Sequence, residues 1–247
     1  MIPWQVIDRA TVPRSRGKPG QGEELAAGTE LVLSRRSDEF SIRVGTWELM
    51  NSRSFDSEKE IAEFAWQRLS RGALAAGAGV PGAAVPCVLV GGLGMGFTLR
   101  AALDHMPTAS RVVVAELVPE VVRWNRDHLG HLAGHPLNDP RVEIHLGDVA
   151  DRLRAHPGGH DAVVLDVDNG PHTKSSASEG WLYSPEGLKV IRRALRPNGV
   201  LSIWSAGQSP GFTERVAAQG FRVQELGSRG RGGKGFHHRI WIAVRQE

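Results

Sequence analysis

The sequence predicts a doubly wound α/β fold, in which a mostly parallel, Rossmann-like seven-stranded sheet follows a small N-terminal β appendage. Three observations predict it. Short runs rich in Val, Ile and Leu alternate with segments of helical periodicity from residue 85 of the 247-residue chain onward, as in parallel sheets covered on both faces. Several of these runs end in glycines or acidic residues, at the edge where such sheets bind ligands. The preceding segment instead alternates polar and apolar residues, which is typical of antiparallel hairpins.

The first third of the chain divides into an arm and an appendage. Residues 1–28 are predicted to form a flexible arm, because they are rich in Pro, Gly, Arg and Lys from residue 11 onward. Residues 29–82 are predicted to form the β-rich appendage and one helix. The predicted elements are a hairpin of residues 30–34 and 40–44, a third strand at residues 47–50, and a helix from Ser57.

Residues 83–247 are predicted to form the α/β domain. Its predicted parallel strands are residues 85–90, 111–116, 141–146, 161–166 and 200–204. Its predicted helices are residues 97–105, 119–129, 149–155 and 185–195. Two further apolar runs, residues 221–226 and 238–244, are predicted to form an antiparallel hairpin at the far edge of the sheet.

Composition argues against several classes of protein. No run approaches the ~20 apolar residues that span a bilayer, and the N-terminus lacks the apolar core of a secretory signal, so a cytoplasmic location is predicted. The single cysteine, Cys87, is interpreted as a buried strand thiol. The net charge of only +3 and the absence of interleaved aromatic and basic residues disfavour nucleic acid as a partner. No histidine lies in a known ligand motif, so no metal is predicted.

Polar and glycine residues follow four successive predicted strands at the same edge of the sheet. They are Gly92, Gly94 and Gly96 after the first strand, Glu116 at the end of the second, Asp148 after the third, and Asp166, Asp168 and Asn169 after the fourth. Glycines allow a sharp turn and a close approach by a ligand, and a carboxylate can accept hydrogen bonds from ribose hydroxyls. Each feature alone also fits a tight turn, a solvated strand end or a helix cap. Their recurrence predicts a nucleoside site.

The glycine spacing distinguishes between nucleosides. Phe97 stands where a dinucleotide-binding fingerprint places its third glycine, which disfavours NAD. The chain also lacks the Gly-x-x-x-x-Gly-Lys-Ser/Thr loop that binds nucleoside triphosphates. The pattern therefore favours S-adenosylmethionine or its decarboxylated form as the cofactor.

With these motifs, residues 30–205 resemble the spermidine synthase-like branch of the class I S-adenosylmethionine-dependent methyltransferase-fold superfamily. The resemblance rests on VLVGGLGMGFTLRAAL, VVVAELVPEVVRWN, RVEIHLGDVADRL, DAVVLDVDNGP and LYSPEGLKVIRRALRPNGVLSIW. It implies that residues 92–96, Glu116 and Asp148 bind the nucleoside. It also implies a small-molecule acceptor and a homodimer or larger assembly.

Two positions depart from the family pattern. Polyamine-making members place an aspartate within the glycine loop to hold the ammonium of the aminopropyl donor, where this chain has Gly94 or Met95. They also place a proton-accepting aspartate at the position of Asn169, and the adjacent Asp168 is one residue out of register. Asp166, Asp168 and Asn169 remain the candidate catalytic residues.

Three functions stay open. The departures slightly favour methylation of a small amine or hydroxyl compound, while the overall resemblance favours an aminopropyl transferase of polyamine synthesis. A non-catalytic nucleoside-binding protein is the third. Candidate substrate-binding residues are Glu58 on the appendage helix, which offers a carboxylate to a cationic amine, and Trp181 and Tyr183 beyond the fourth strand. Glu58 also fits a solvated helix face, and the two aromatic residues also fit ordinary packing.

Overall fold

The computed structural model describes residues 2–13, 28–53, 55–71, 85–167, 170–171, 180–229 and 237–247. Its strands are β1 Gln5–Thr11, β2 Glu30–Arg36, β3 Glu39–Val44, β4 Trp47–Asn51, β5 Cys87–Gly91, β6 Arg111–Glu116, β7 Val142–Leu146, β8 His160–Leu165, β9 Leu195–Ser205, β10 Phe221–Arg229 and β11 His237–Arg245. Its α-helices are α1 Asp56–Arg71, α2 Phe97–His105, α3 Pro119–Trp124, α4 Val149–Ala155, α5 Pro185–Ala194 and α6 Phe212–Ala217.

The large sheet has seven strands in the order β10-β11-β9-β8-β5-β6-β7. Strands β5 to β9 pair in parallel, while β11 pairs antiparallel with both β9 and β10. The predicted seven-stranded, mostly parallel sheet is therefore confirmed, including the antiparallel hairpin at its far edge.

Both faces of this sheet are covered, which explains the uninterrupted apolar strands. Val88 and Val90 of β5 face a core that includes α1 and α2, whereas Leu89 faces a second core beneath α4, α5 and α6. Successive residues of a strand point to opposite faces. The central strands β5, β6 and β8 therefore carry apolar side chains throughout their middle positions, whereas the edge strands β7 and β10 include polar residues.

The N-terminal sheet is antiparallel in the order β1-β2-β3-β4. Residues 5–11 form its edge strand, although the sequence places them in a flexible arm. A β-bulge between Val6 and Asp8 interrupts the alternation that would have indicated this strand. The bulge region places the Asp8 carboxylate where Arg123 and the indole N–H of Trp124 donate to Oδ2, at 2.6 and 2.8 Å. Strand β1 is thereby attached to the α/β domain.

The predicted helix at residues 119–129 changes its hydrogen bonding midway. After α3 it continues as a π-helical turn over Asn125–Leu129. Such turns occur frequently at functional sites. No helix in the described ranges is both long and apolar enough to cross a membrane.

Candidate active site

The glycine loop at residues 92–96 joins β5 to α2 and lies directly against the end of β8. Gly92 has a φ of +87°, and a Cβ atom at this position would lie 2.3 Å from the carbonyl oxygen of Asp166. The Gly92 N–H donates to the carbonyl of Ala115 at 2.9 Å, which fixes the start of the loop against β6. Only glycine combines this positive φ with such a close backbone approach.

Glu116 ends strand β6 and holds the same loop through its carboxylate. The N–H of Leu93 donates to Oε2 and the N–H of Val118 donates to Oε1, both at 2.9 Å. Burial raises the pKa of Glu116, and the hydrogen bonds from Val118 and Leu93 oppose that rise. Because a carboxylate oxygen can accept more than one hydrogen bond, these contacts are compatible with the predicted bonds from ribose hydroxyls.

Asn125 is a loop-holding residue that the sequence analysis missed. Its amide nitrogen donates to the carbonyl of Gly94 at 2.8 Å and to the carbonyl of Val121 at 2.9 Å. On the other side of the loop, the sulfur of Met50 in β4 lies 3.2 Å from the position of a Cβ on Gly94. The glycine loop is therefore held between the π-helical turn and the N-terminal sheet. The WN dipeptide at residues 124–125 carries no pattern that would have identified this role.

Asp148 caps helix α4. Its Oδ1 accepts a hydrogen bond from the N–H of Ala150 at 2.8 Å. This is the capping alternative that the sequence analysis left open, and the predicted contact with an adenine amino group stays a prediction.

Asp166 lies immediately after β8, at the carboxyl edge of the sheet. The hydroxyl of Thr98, in the first turn of α2, donates to Asp166 Oδ2 at 2.5 Å. Burial raises the pKa of Asp166, and the bond from Thr98 opposes that rise. Thr98 also lies 3.2 Å from the backbone carbonyl of Glu58. One hydroxyl therefore connects the end of β8 to the start of α1.

Glu58 lies in the first turn of α1, close enough to Asp166 for the two carboxylates to interact. Burial raises the pKa of Glu58 well above its ordinary value, and the negative charge of Asp166 raises it further. Among the described residues, neither carboxylate has an ion-pair partner (the nearby ammonium of Lys59 lies 4.3 Å from the ring of Phe55). We call Glu58 and Asp166 the carboxylate pair.

Trp181 and Tyr183 pack against protein groups. The Arg154 guanidinium lies 4.0 Å from the centre of the Trp181 ring. Tyr183 is buried, and its hydroxyl donates to the carbonyl of Val167 at 3.3 Å. These contacts give both rings the packing role that the sequence analysis kept open, and their part in substrate binding stays a prediction.

Two predicted catalytic residues, Asp168 and Asn169, lie outside the described residues. Asp166 is thus the one predicted catalytic residue that the structure positions. Within the described ranges, no group of three or more His, Cys, Asp or Glu side chains is arranged to hold a metal ion.

Comparison with known proteins assigns this arrangement to a family. The sequence model of the spermine/spermidine synthase domain matches residues 78–219, more than half of the chain. Polyamine aminopropyltransferase 2 of Pseudomonas aeruginosa is 33% identical over 120 residues, which cover 47% of this chain and 32% of the relative. Putrescine N-methyltransferase 4 of Nicotiana tabacum is 34% identical over 125 residues, covering 47% of this chain and 30% of the relative. These alignments span about a third of the relatives' length.

Solved structures show the same fold at low sequence identity. Spermidine synthase from Thermotoga maritima superposes with a TM-score of 0.65 at 17% identity, covering 88% of this chain and 69% of that protein. A probable spermidine synthase from Corynebacterium glutamicum gives a TM-score of 0.60 at 18% identity, covering 94% of this chain and 80% of that protein. The predicted fold class and the predicted resemblance are both confirmed.

Proposed function

The chain belongs to the spermine/spermidine synthase domain family, and from that premise we propose that it is a transferase that moves a carbon group from a sulfonium nucleoside to a small amine. One observation carries the proposal. The carboxylate pair lies beside the glycine loop with no ion-pair partner among the described residues. Buried charges are costly unless they are paired, so a cationic amine is the ligand that this edge of the sheet favours.

Aminopropyl transfer from decarboxylated S-adenosylmethionine is the leading form of this proposal. The sequence alone slightly favours methyl transfer, but the family match and several relatives named polyamine aminopropyltransferase support the alternative better. Methyl transfer from S-adenosylmethionine remains the second candidate. It is favoured by Gly94 and Met95, which put no carboxylate in the glycine loop, and by the relatives named putrescine N-methyltransferase.

Different residues bind the nucleoside and the acceptor amine. The backbone of residues 92–96 approaches the nucleoside closely, Glu116 accepts from the ribose hydroxyls, and Asp148 lies at the predicted adenine end. Asp166 and Glu58 hold the acceptor amine at the other end of the loop. The donor supplies a carbon activated by a positively charged sulfur. Holding amine nitrogen, carbon and sulfur in line can contribute ~7–11 kcal/mol to catalysis, so positioning is the main task of these residues.

Calorimetric titration with each nucleoside tests the binding half of the proposal. We expect the decarboxylated form to bind at least tenfold more tightly than S-adenosylmethionine, which corresponds to about 1.4 kcal/mol. Glu116→Gln should weaken both, because it removes one acceptor oxygen, whereas Glu120→Gln on the neighbouring helix should not. Preference for the intact form would establish the methyl alternative. Failure to bind either nucleoside would contradict the proposal.

Product analysis tests the transfer half. Incubation with decarboxylated S-adenosylmethionine and putrescine, spermidine or a monoamine should give an aminopropylated amine, detected by mass spectrometry. Incubation with S-adenosylmethionine should give no methylated amine. A methylated product would make methyl transfer the leading candidate and aminopropyl transfer the second.

A further inference from the structure

We propose that Glu58, on the helix that covers one face of the parallel sheet, accepts the proton that the acceptor amine must lose, and that it does so as one member of the carboxylate pair. This inference rests on the proposed function and assigns the base of its reaction. A base is needed because an ammonium ion has no lone pair with which to attack carbon. Asn169 stands where the family resemblance places that base, an amide cannot take up the proton, and the adjacent Asp168 is one residue out of register.

Two hydroxyl contacts hold Glu58 at the carboxyl edge. The Thr98 hydroxyl lies 3.2 Å from the carbonyl of Glu58, and the Ser202 hydroxyl donates to the carbonyl of Ile61 at 3.0 Å. Residues three apart share one face of a helix. The α/β domain therefore contacts the first turns of α1 along the face that starts at Glu58. Thr98 also binds Asp166, so one side chain contacts both the Asp166 carboxylate and the backbone of Glu58.

Hydrogen bonding makes the two members of the pair unequal. Thr98 donates to Asp166, which stabilises its ionised form, while the carboxylate of Glu58 has no hydrogen-bond donor among the described residues. Burial and the charge of Asp166 both raise the pKa of Glu58. Two such carboxylates share a proton rather than ionise together, and the bond from Thr98 to Asp166 favours the arrangement with the proton on Glu58. Asp166 is then the member that holds a cation.

Binding of an ammonium ion reverses this preference. A positive charge beside the pair stabilises the second negative charge, so the shared proton leaves and Glu58 becomes a carboxylate next to the N–H bonds of the ligand. Once a proton has moved from the ammonium to Glu58, the positive charge is gone, so burial and Asp166 again raise the pKa of Glu58 and favour its protonated form. The same acidic pair therefore selects the cationic amine and then deprotonates it.

The reaction balances without another reactant. Glu58 takes one proton from the ammonium, and the freed lone pair of nitrogen forms a bond to the carbon attached to sulfur. The carbon–sulfur bond breaks and its electron pair stays on sulfur, which becomes a neutral thioether. The product nitrogen carries one proton more than a neutral amine, and Glu58–COOH later returns its proton to water.

The test is the pH dependence of transfer by Glu58→Gln, with Glu60→Gln from the same helix turn as the matched control. At pH 7.5 we expect Glu58→Gln to lower kcat/KM for the amine by 10²–10⁴-fold, the usual contribution of a general base. The deficit should shrink as the pH approaches ~10, where solution supplies the neutral amine. The affinity for the nucleoside, measured by calorimetry, should not change. Glu60→Gln should behave like the wild type throughout.

Other outcomes separate this inference from the proposed function. A Glu58→Gln protein that transfers at the wild-type rate, or with a deficit independent of pH, would overturn the role of Glu58 alone. A wild-type protein with no transfer activity would overturn the proposed function and this inference together.

A second measurement does not need turnover. Calorimetric titration of putrescine in two buffers of different ionisation enthalpy should show that binding releases a proton in the wild type and in Glu60→Gln. It should show no release in Glu58→Gln. Equal release by Glu58→Gln would place the shared proton elsewhere and contradict the inference.

Discussion

The two edges of the parallel sheet treat buried charge in opposite ways. At the amino edge, where β5 and β8 begin, the Asp161 carboxylate accepts from the N–H of Cys87 at 2.8 Å and from the Arg196 guanidinium at 2.6 Å. At the carboxyl edge, Glu58 and Asp166 have no such cation among the described residues. Asp161 is buried and both members of the carboxylate pair are half-buried, yet among the described residues only the amino edge supplies the opposite charge.

The amino edge also keeps its histidine neutral. His160 is fully buried, and burial together with the positive charge of Arg152 lowers its pKa to about 4. Its Nδ1 lies 3.5 Å from the sulfur of Cys87, which also accepts from Arg111 at 3.6 Å. Paired or neutral groups contribute to stability, whereas unpaired carboxylates reduce it and are retained where they bind or react. The imbalance of charge is thus the reason for placing the proposed function at the carboxyl edge.

Gly92→Ala and Gly158→Ala should give the largest difference between the edges. Gly92 lies at the carboxyl edge and Gly158 precedes β8 at the amino edge, and both have positive φ, +87° and +62°. A Cβ at Gly92 meets a carbonyl oxygen at 2.3 Å, whereas a Cβ at Gly158 has no atom within 4 Å. We expect Gly92→Ala to lower the free energy of unfolding by about 4 kcal/mol. Gly158→Ala should lower it by about 1 kcal/mol. Equal losses in urea unfolding would show that Gly92 is needed only for its φ.

His160 should make the amino edge sensitive to acid. Its pKa falls from 6.5 in the unfolded chain to about 4 in the fold. Its contribution to stability is therefore complete above pH 6.5 and is lost as the pH falls toward 4. The full loss amounts to about 3 kcal/mol. Unfolding midpoints measured across this range should fall more steeply for the wild type than for His160→Gln. His105→Gln is the control and should follow the wild type.

Asp161→Asn should destabilise the amino edge by about 2 kcal/mol, because it leaves the Arg196 guanidinium without its ion-pair partner. The side chain of Arg196 is 29% exposed, so water offsets part of the full cost of a broken buried pair. Urea unfolding at pH 7.5 measures the loss. An unchanged midpoint would show that this pair does not distinguish the two edges.

Asp166→Asn should have the opposite sign at the carboxyl edge. Because the pKa of Asp166 is raised in the fold, the folded protein loses stability as the pH rises through that pKa. Replacement by Asn should raise the free energy of unfolding at pH 7.5 by about 1 kcal/mol while it abolishes transfer. Destabilisation by this substitution would mean that the carboxyl edge is built for stability as well.

Local patterns predict most of the large sheet, because its strands contain runs rich in Val, Ile and Leu, and the central strands β5 and β6 end in glycine or a polar residue. The predicted bounds of β6, α2 and α4 agree with the structure to the residue. Strand β1 is missed because its bulge interrupts the alternation. The π-helical turn is missed because Asn125 bonds to a loop 31 positions earlier in the chain.

The candidate site can be predicted only in part from the sequence, because some of its contacts join residues that are far apart in the chain. Glu116 and Asp166 are predicted by their positions at strand ends, which are local features. The choice of Glu58 over Glu60 depends on how α1 is rotated against Thr98, 40 positions away. The same limit applies at the amino edge, outside the candidate site. There Cys87 contacts Arg111 and His160, which lie 24 and 73 positions away, and no sequence motif links these residues.

The place of β11 in the sheet also sets a condition on folding during synthesis. Strand β10 pairs with β11, and β11 pairs with β9, so β10 reaches the sheet only through a strand that is translated after it. A nascent chain that has emerged only as far as residue 229 contains every strand of the parallel part, yet the outer edge of β9 has no partner strand. Such edges are aggregation-prone. Until residues 237–245 emerge, rapid translation or a chaperone is therefore needed to prevent the edge of β9 from pairing with other chains.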